Sequence, residues 1–275
     1  MPDVIVGGST IPQPPARPTR IYNCIPSLHD PRDYQFVSKL ASAGEVILPP
    51  SVDLRSQCSP VVDQGNLGSC TANALASGLR EFMVLKAGQP LNRLSRLFIY
   101  YEERSTEGDI SQDAGASMKD GLDCMVNLGV CTEALDPYNI ATFTSPPSSA
   151  ALAEAPDYKI NKYMQITSLA AGKACLAQGY PVAMGMNVYA QMESQAAATT
   201  GIVACPAYGE QPLGGHAVTI VGYQDTPKFT PGYWKGGGYL IVRNSWSASW
   251  GLEGYFKLAY QYVLSNYAWE FWTCR

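Results

Sequence analysis

Residues 64–71 read Q-G-N-L-G-S-C-T, and an alanine-rich stretch begins directly behind Cys70. A cysteine sulfur attacks a carbonyl carbon as the thiolate, which free amides and the dipole at a helix start stabilise. Such a nucleophile needs a base, and the chain holds two histidines. His29 lies in L-H-D-P-R-D, whereas His216 opens the apolar run G-G-H-A-V-T-I-V-G-Y behind two glycines. A later run ends in R-N-S-W, where Asn244 is placed to hydrogen-bond an imidazole and Trp246 to keep water off that bond. Each residue also has a plainer reading: Cys70 as a small buried apolar residue, His216 as a core histidine, Asn244 as a turn residue.

Those side chains need rigid elements. Ala74, Leu75, Leu79, Phe82, Met83 and Leu85 recur at helical spacing, predicting a helix from Cys70 to about Lys86 that Gly88 stops. Further helices are expected over Ser95–Arg104, over Ser117–Leu128 before Gly129, and over Ser168–Gln178 before Gly179. The periodicity then changes. P-V-A-M-G-M-N-V, H-A-V-T-I-V-G-Y, G-Y-L-I-V-R-N-S and G-Y-F-K-L are short β-branched or aromatic runs parted by Gly and Pro. Helices first and strands later predict an α+β chain with a helical lobe, a strand-rich lobe and a cleft between them.

At 275 residues, 46% apolar and 15% charged, the chain is expected to be globular, with one large core or two lobes. A net charge of −4 without charge runs argues against nucleic acid and anionic membranes as partners. Neither a membrane span nor a signal peptide is evident, and no N-glycosylation sequon occurs. Eight cysteines without a C-x-x-C, beside two histidines, give no pattern for structural zinc; no metal or organic cofactor is expected. Residues 1–47 differ from the rest: Pro2, Pro12, Pro14, Pro15, Pro18, Pro26 and Pro31 favour an extended backbone. I-P-Q-P-P-A-R-P has P-x-x-P spacing suited to an SH3-like ligand, but a linker or wrapping arm is the simpler reading. Leu48-Pro49-Pro50 separates this arm from the domain at 48–275.

Three blocks in order, D-Q-G-N-L-G-S-C-T-A-N-A, G-G-H-A-V-T-I-V-G-Y and L-I-V-R-N-S-W-S-A-S-W-G-L-E-G-Y-F, resemble the signature regions of papain-like (C1) cysteine peptidases, above all compact bacterial members. The resemblance spans about residues 48–275 and implies the two-lobe papain fold. It implies that Cys70 is the nucleophile, His216 its base and Asn244 the residue orienting the ring. Gln64 and the Cys70 amide would form the oxyanion hole. The interval from Cys70 to His216 falls within the family's roughly 130–150 residues. The interval from His216 to Asn244 is longer than usual, implying an inserted loop around Thr226 to Gly238. Trp246 and Trp250 match the family's aromatic pair. Leu67 and Asp113 stand where relatives carry a disulfide, and Thr71 replaces a usual tryptophan.

The resemblance further implies hydrolysis of peptide or protein substrates through a thioester. Gly115, Ala116, Met118, Met184, Gly185 and Gly214 would line the substrate pocket together with Trp246, favouring an apolar or aromatic side chain two residues before the scissile bond. With His216 committed and His29 in the arm, no histidine remains to block the cleft, so an endopeptidase is expected. Two other readings are a binding module that has lost catalysis and an acyltransferase or transglutaminase. The first gives no reason to hold Gln64, Cys70, His216 and Asn244 together, and the second normally pairs the histidine with aspartate. The arm is too short and too proline-rich for a helical prodomain. An extended strand can nevertheless bond along a groove whatever its side chains, so the arm is expected to cover the cleft and restrain activity, against the alternative of a disordered tail.

Overall fold

The computed structural model describes residues 20–37, 48–226 and 237–275. The P-x-x-P segment and most of the expected inserted loop lie outside them. Thr226 donates its amide to Gly237 O at 2.9 Å, closing the base of that excursion.

The strands are β1 (Cys24–Ile25), β2 (Ser51–Asp53), β3 (Ala116–Ser117), β4 (Tyr163–Gln165), β5 (Val182–Val188), β6 (Ile202–Val203), β7 (Gly214–Asp225), β8 (Gly238–Arg243), β9 (Tyr255–Ala259) and β10 (Ala268–Cys274). Eight of them form one sheet in the order β4-β10-β5-β7-β8-β9-β6, with β2 also on β7. Its pairings are antiparallel except β6 with β9. β1 and β3 make a separate parallel pair.

The helices arise where apolar spacing and caps coincide. Helical winding runs unbroken through residues 70–86, with π winding over Asn73–Arg80. Arg96–Glu107 starts at Ser95, whose hydroxyl accepts from the Phe98 amide, and ends at Gly108 with φ +83°. Ser117 and Ser168 cap Met118–Asn127 and Leu169–Ala177 in the same way. The sequence reading did not anticipate β10, nor the short helices Ser149–Glu154, Gln195–Thr200 and Tyr260–Leu264.

Two apolar cores result. One gathers Leu75, Leu79, Phe98, Ile99, Leu122 and Met125 in the helical lobe, together with Cys70. The other gathers Val182, Met184, Val218, Ile220, Val242 and Phe256 in the sheet lobe. The helix at 70–86 joins them. Thr219 on β7 donates to Ala74 O at 3.1 Å, and a Cβ at Gly78 would stand only 2.0 Å from Thr219 Oγ1. Only a glycine there lets helix and sheet approach so closely. This contact fixes the start of the helix, which carries Cys70, relative to β7, which carries His216.

The described part of the arm is ordered against the domain. Phe36 is buried in the sheet-lobe core, and its amide donates to Gln165 O at 2.9 Å. Lys119 pairs with Asp33 at 2.7 Å and Asp30 at 3.6 Å.

Candidate active site

Cys70 is the first helical residue, and its side chain is fully buried. The preceding Ser69 does not cap the helix; its hydroxyl instead meets Tyr138 Oη at 2.6 Å and accepts from Asn73 Nδ2 at 3.1 Å. The first-turn amides thus keep their positive potential facing the sulfur.

Across the lobe boundary, His216 Nε2 lies 2.9 Å from Asn244 Oδ1. That oxygen also accepts from the Ser245 amide at 2.9 Å, which settles the carboxamide's orientation and makes Nε2 the protonated ring nitrogen. Nδ1 has no conventional hydrogen-bond partner and is the nitrogen left for Cys70. Trp246 stacks on the imidazole with centroids 4.9 Å apart and planes at 24°, and Trp250 meets Trp246 edge-on at 4.9 Å. His216 and Asn244 are consequently almost without solvent contact.

The Cys70 pKa lies well below the ordinary thiol value. The largest cause is a hydrogen bond from the Cys24 thiol, followed after the opposing effect of burial by His216 and the Ala217 amide. Cys24 is pushed the other way, by its bond with Cys70 and by burial. The two sulfurs are thus shifted in opposite directions, Cys70 toward the thiolate and Cys24 toward the thiol.

Gln64 is buried and held at several points. Its amide donates to Ser245 O at 2.9 Å, its Nε2 donates to Leu67 O at 3.0 Å, and its Oε1 accepts from Ser245 Oγ at 2.5 Å. One Nε2 hydrogen remains for another acceptor. At the position where the sequence resemblance implies a lost disulfide, Asp113 accepts the Gly68 amide at 3.0 Å on both carboxylate oxygens and takes a short bond from Tyr100 Oη. These carboxylate bonds tie down the loop ahead of Cys70. None of the eight cysteines is in a disulfide.

The arm lies over this group. Asn23 bridges Gly215 in parallel, and Cys24 and Ile25 pair with Ala116 and Ser117. Tyr22 meets His216 edge-on at 6.1 Å, and the Arg20 guanidinium sits 4.1 Å from the Trp246 ring centre. A Cβ at Gly115 would lie 2.0 Å from Asn23 O, one at Gly214 2.5 Å from Tyr22 O, and one at Gly215 2.0 Å from Cys24 O. The arm backbone therefore rests directly on glycines of both walls, and its carbonyls are packed against those walls.

Of the expected substrate-binding residues, Gly115, Ala116 and Gly214 come together under the arm. Trp246 joins them through Arg20 and Tyr22. Met118 is buried in the helical-lobe core with Cys70 and Ala116. Met184 is not brought to this group: it packs in the sheet-lobe core, while its neighbour Ala183 points to the opposite face. Gly185 shares the Ala183 face, beside Trp269 and Glu270.

Sequence reasoning did not single out Tyr22, Asn23 and Cys24. The run I-Y-N-C-I, β-branched and aromatic amid prolines, was the available signal. It also passed over Glu103, a fully buried carboxyl that accepts from Thr71 Oγ1 at 2.7 Å and that burial pushes well above the usual range. Among the described residues, no group of three or more His, Cys, Asp or Glu is placed to hold a metal ion, and no helix is long and apolar enough to cross a membrane.

Comparison with known proteins agrees with this geometry. The family model described as papain family cysteine protease matches residues 48–268. Crystalline xylellain, a cysteine protease from Xylella fastidiosa, superposes with a TM-score of 0.81 at 34% identity, covering 92% of this chain and 95% of that one. An uncharacterized peptidase C1-like protein of Acanthamoeba polyphaga mimivirus is 37% identical over 221 residues, 77% of this chain and 68% of the relative. Cysteine proteinase 3 of Entamoeba histolytica is 28% identical over 214 residues, 77% of this chain and 63% of the relative. The chain thus spans about two thirds of the length of these curated relatives.

Proposed function

The chain belongs to the papain family of cysteine proteases, and on that premise we propose that it is an endopeptidase whose nucleophile is Cys70. The observation that carries this reading is the placement of a buried, low-pKa sulfur at a helix start, facing an imidazole already bonded to Asn244 and stacked on Trp246. The Cys70 thiolate adds to the substrate carbonyl, and negative charge develops on the carbonyl oxygen. The remaining Nε2 hydrogen of Gln64 and the Cys70 amide stabilise that charge. Protonated at Nδ1 within the ion pair, His216 gives that proton to the leaving amine. As the thioester breaks down, it removes a proton from the attacking water. Asn244 keeps the ring turned so that Nδ1 faces the sulfur throughout.

The domain at 48–275 carries this chemistry, and the arm at 1–47 restrains it. Gly115, Ala116 and Gly214 hold a substrate main chain on the surfaces where residues 22–24 now lie. The arm resists cleavage because its carbonyls rest on wall glycines and a side chain, Cys24, faces the nucleophile. Peptide or protein substrates with an apolar or aromatic residue two positions before the cut are the expected class, and displacing the arm is the condition for reaching them.

Two variants test the reading. Cys70→Ala abolishes peptide hydrolysis while leaving the fold intact by circular dichroism; activity above a few per cent of wild type would refute the nucleophile. Removing residues 1–28 strips the stretch over the cleft but retains Asp30, Asp33 and Phe36, which anchor the rest. It raises kcat/KM for a peptide substrate; an unchanged value would refute restraint by the arm.

A further inference from the structure

Among the described arm residues, Cys24 has its side chain in the cluster that holds the nucleophile, and nothing in hydrolysis calls for a thiol there. Several features fix its place. Its Cα is registered against Ala116 on one wall, and its carbonyl presses on Gly215, next to His216, on the other. Its side chain is buried in the same apolar cluster as Cys70, and each of the two thiols shifts the ionisation of the other. A serine or alanine would fill the same space in an arm that only blocked the cleft. A thiol adds one capability, a bond to sulfur.

We propose that Cys24 and Cys70 form a reversible disulfide under oxidation by a hydroperoxide, fastening the arm over the cleft and protecting the nucleophile. The proposal rests on the reading of Cys70 as the reactive thiolate. When the arm lifts, the Cys70 thiolate attacks the hydroperoxide oxygen; the O–O bond breaks, and sulfenic acid forms with release of hydroxide or alkoxide. When the arm returns, Cys24 attacks the Cys70 sulfur. The S–S bond forms as the S–O bond breaks, and the Cys24 proton leaves with the hydroxyl as water. Two thiols lose two electrons and the peroxide gains them. A dithiol reductant reverses the bond by exchange, first at one sulfur and then at the other. Without Cys24, the sulfenic acid has no resolving thiol on the arm, and further peroxide carries it to the sulfinic acid, which thiols do not reduce.

The test uses the full chain, wild type and Cys24→Ser, each treated with hydrogen peroxide and digested with trypsin without reduction. In the wild type, the fragment 21–32 becomes joined to the fragment 56–80. Because the latter also carries Cys58, tandem mass spectrometry must place the link at Cys70. Dithiothreitol then returns most of the wild-type peptidase activity, whereas Cys24→Ser recovers less than about a tenth and carries sulfinic acid at Cys70. Absence of the 24–70 link, or equal recovery in both proteins, would overturn the proposal. The link is read by mass alone, so it stands apart from the peptidase assignment: a Cys70→Ala protein that still cleaved peptides would refute the nucleophile, and a missing link would refute only the latch.

Discussion

Gln64 gives the sharpest quantitative expectation, because its carboxamide is both a donor and a clamped object. Removing one oxyanion donor costs about 2.7–4 kcal/mol, or roughly 10²–10³ in kcat. Gln64→Ala falls in that range, with KM changed little, since the donor acts on charge that appears only in the transition state. Gln64→Glu keeps the shape but replaces the donor by an acceptor, and it loses more than alanine. Ser245 separates donation from positioning. Its hydroxyl holds Gln64 Oε1 at 2.5 Å, while the Leu67 carbonyl continues to hold Nε2 at 3.0 Å. Ser245→Ala therefore removes one neutral hydrogen bond of about 0.5–1.5 kcal/mol and leaves the amide partly anchored. That converts to a loss of roughly 2- to 12-fold in kcat. Steady-state kinetics with a fluorogenic peptide, on chains lacking residues 1–28 so that arm displacement does not enter, measures all three. A Gln64→Ala loss below about tenfold, or a Ser245→Ala loss equal to it, would refute the donor assignment.

Asn244→Ala removes the acceptor of the His216 Nε2 bond, a charge-assisted bond once the ring is protonated, so kcat falls about 10- to 100-fold and the pH–rate profile changes shape with it; an unchanged profile counts against an orienting role. Gly78→Ala forces a Cβ to 2.0 Å from Thr219 Oγ1 and destabilises the chain by about 1–3 kcal/mol in urea titrations. Thr219→Ala in the same chain restores part of the loss but not all, because the Thr219 Cβ would still lie 2.8 Å away; full additivity of the two changes refutes the contact. Glu103 has a folded-state pKa raised well above 4.5, chiefly by burial, so its contribution to stability is present at low pH and is lost as pH rises from the ordinary glutamate range toward the raised value. Glu103→Gln keeps an acceptor for Thr71 and flattens that decline. Parallel urea midpoints for the two proteins from pH 4 to pH 9 would show the explanation to be wrong.

Much of the framework was legible because its physics is local. The spacing of Ala74, Leu75, Leu79 and Phe82 located the helix carrying Cys70, and serine caps with closing glycines bounded the others. His216 and Asn244 were found through the apolar runs that hold them, although their partnership is a tertiary fact that spacing alone leaves open. Other features were hidden for identifiable reasons. The path of residues 20–25 depends on wall glycines far along the chain, and a proline-rich segment has no periodicity to betray it. β10 reads A-W-E-F-W-T-C, and its buried Glu270 disrupts any simple alternation. Met184 was assigned to the pocket by position, yet strand alternation turns it away from Gly185 and into the sheet-lobe core. Asp113 was seen only as a lost cysteine, and its bonds to Gly68 became visible once the loops were folded together.

In the proposed reading one sulfur, Cys70, is anionic and performs the chemistry. Alkylation by iodoacetamide at limiting reagent, on the chain lacking residues 1–28, tests it most directly, with the modified residue located by mass spectrometry and residual activity read from the same samples. Cys70 is expected to be alkylated first, at a rate still high at pH 6, with activity falling in proportion to its modification. Preferential labelling of any other cysteine, or hydrolysis that persists after Cys70 is fully alkylated, would contradict it.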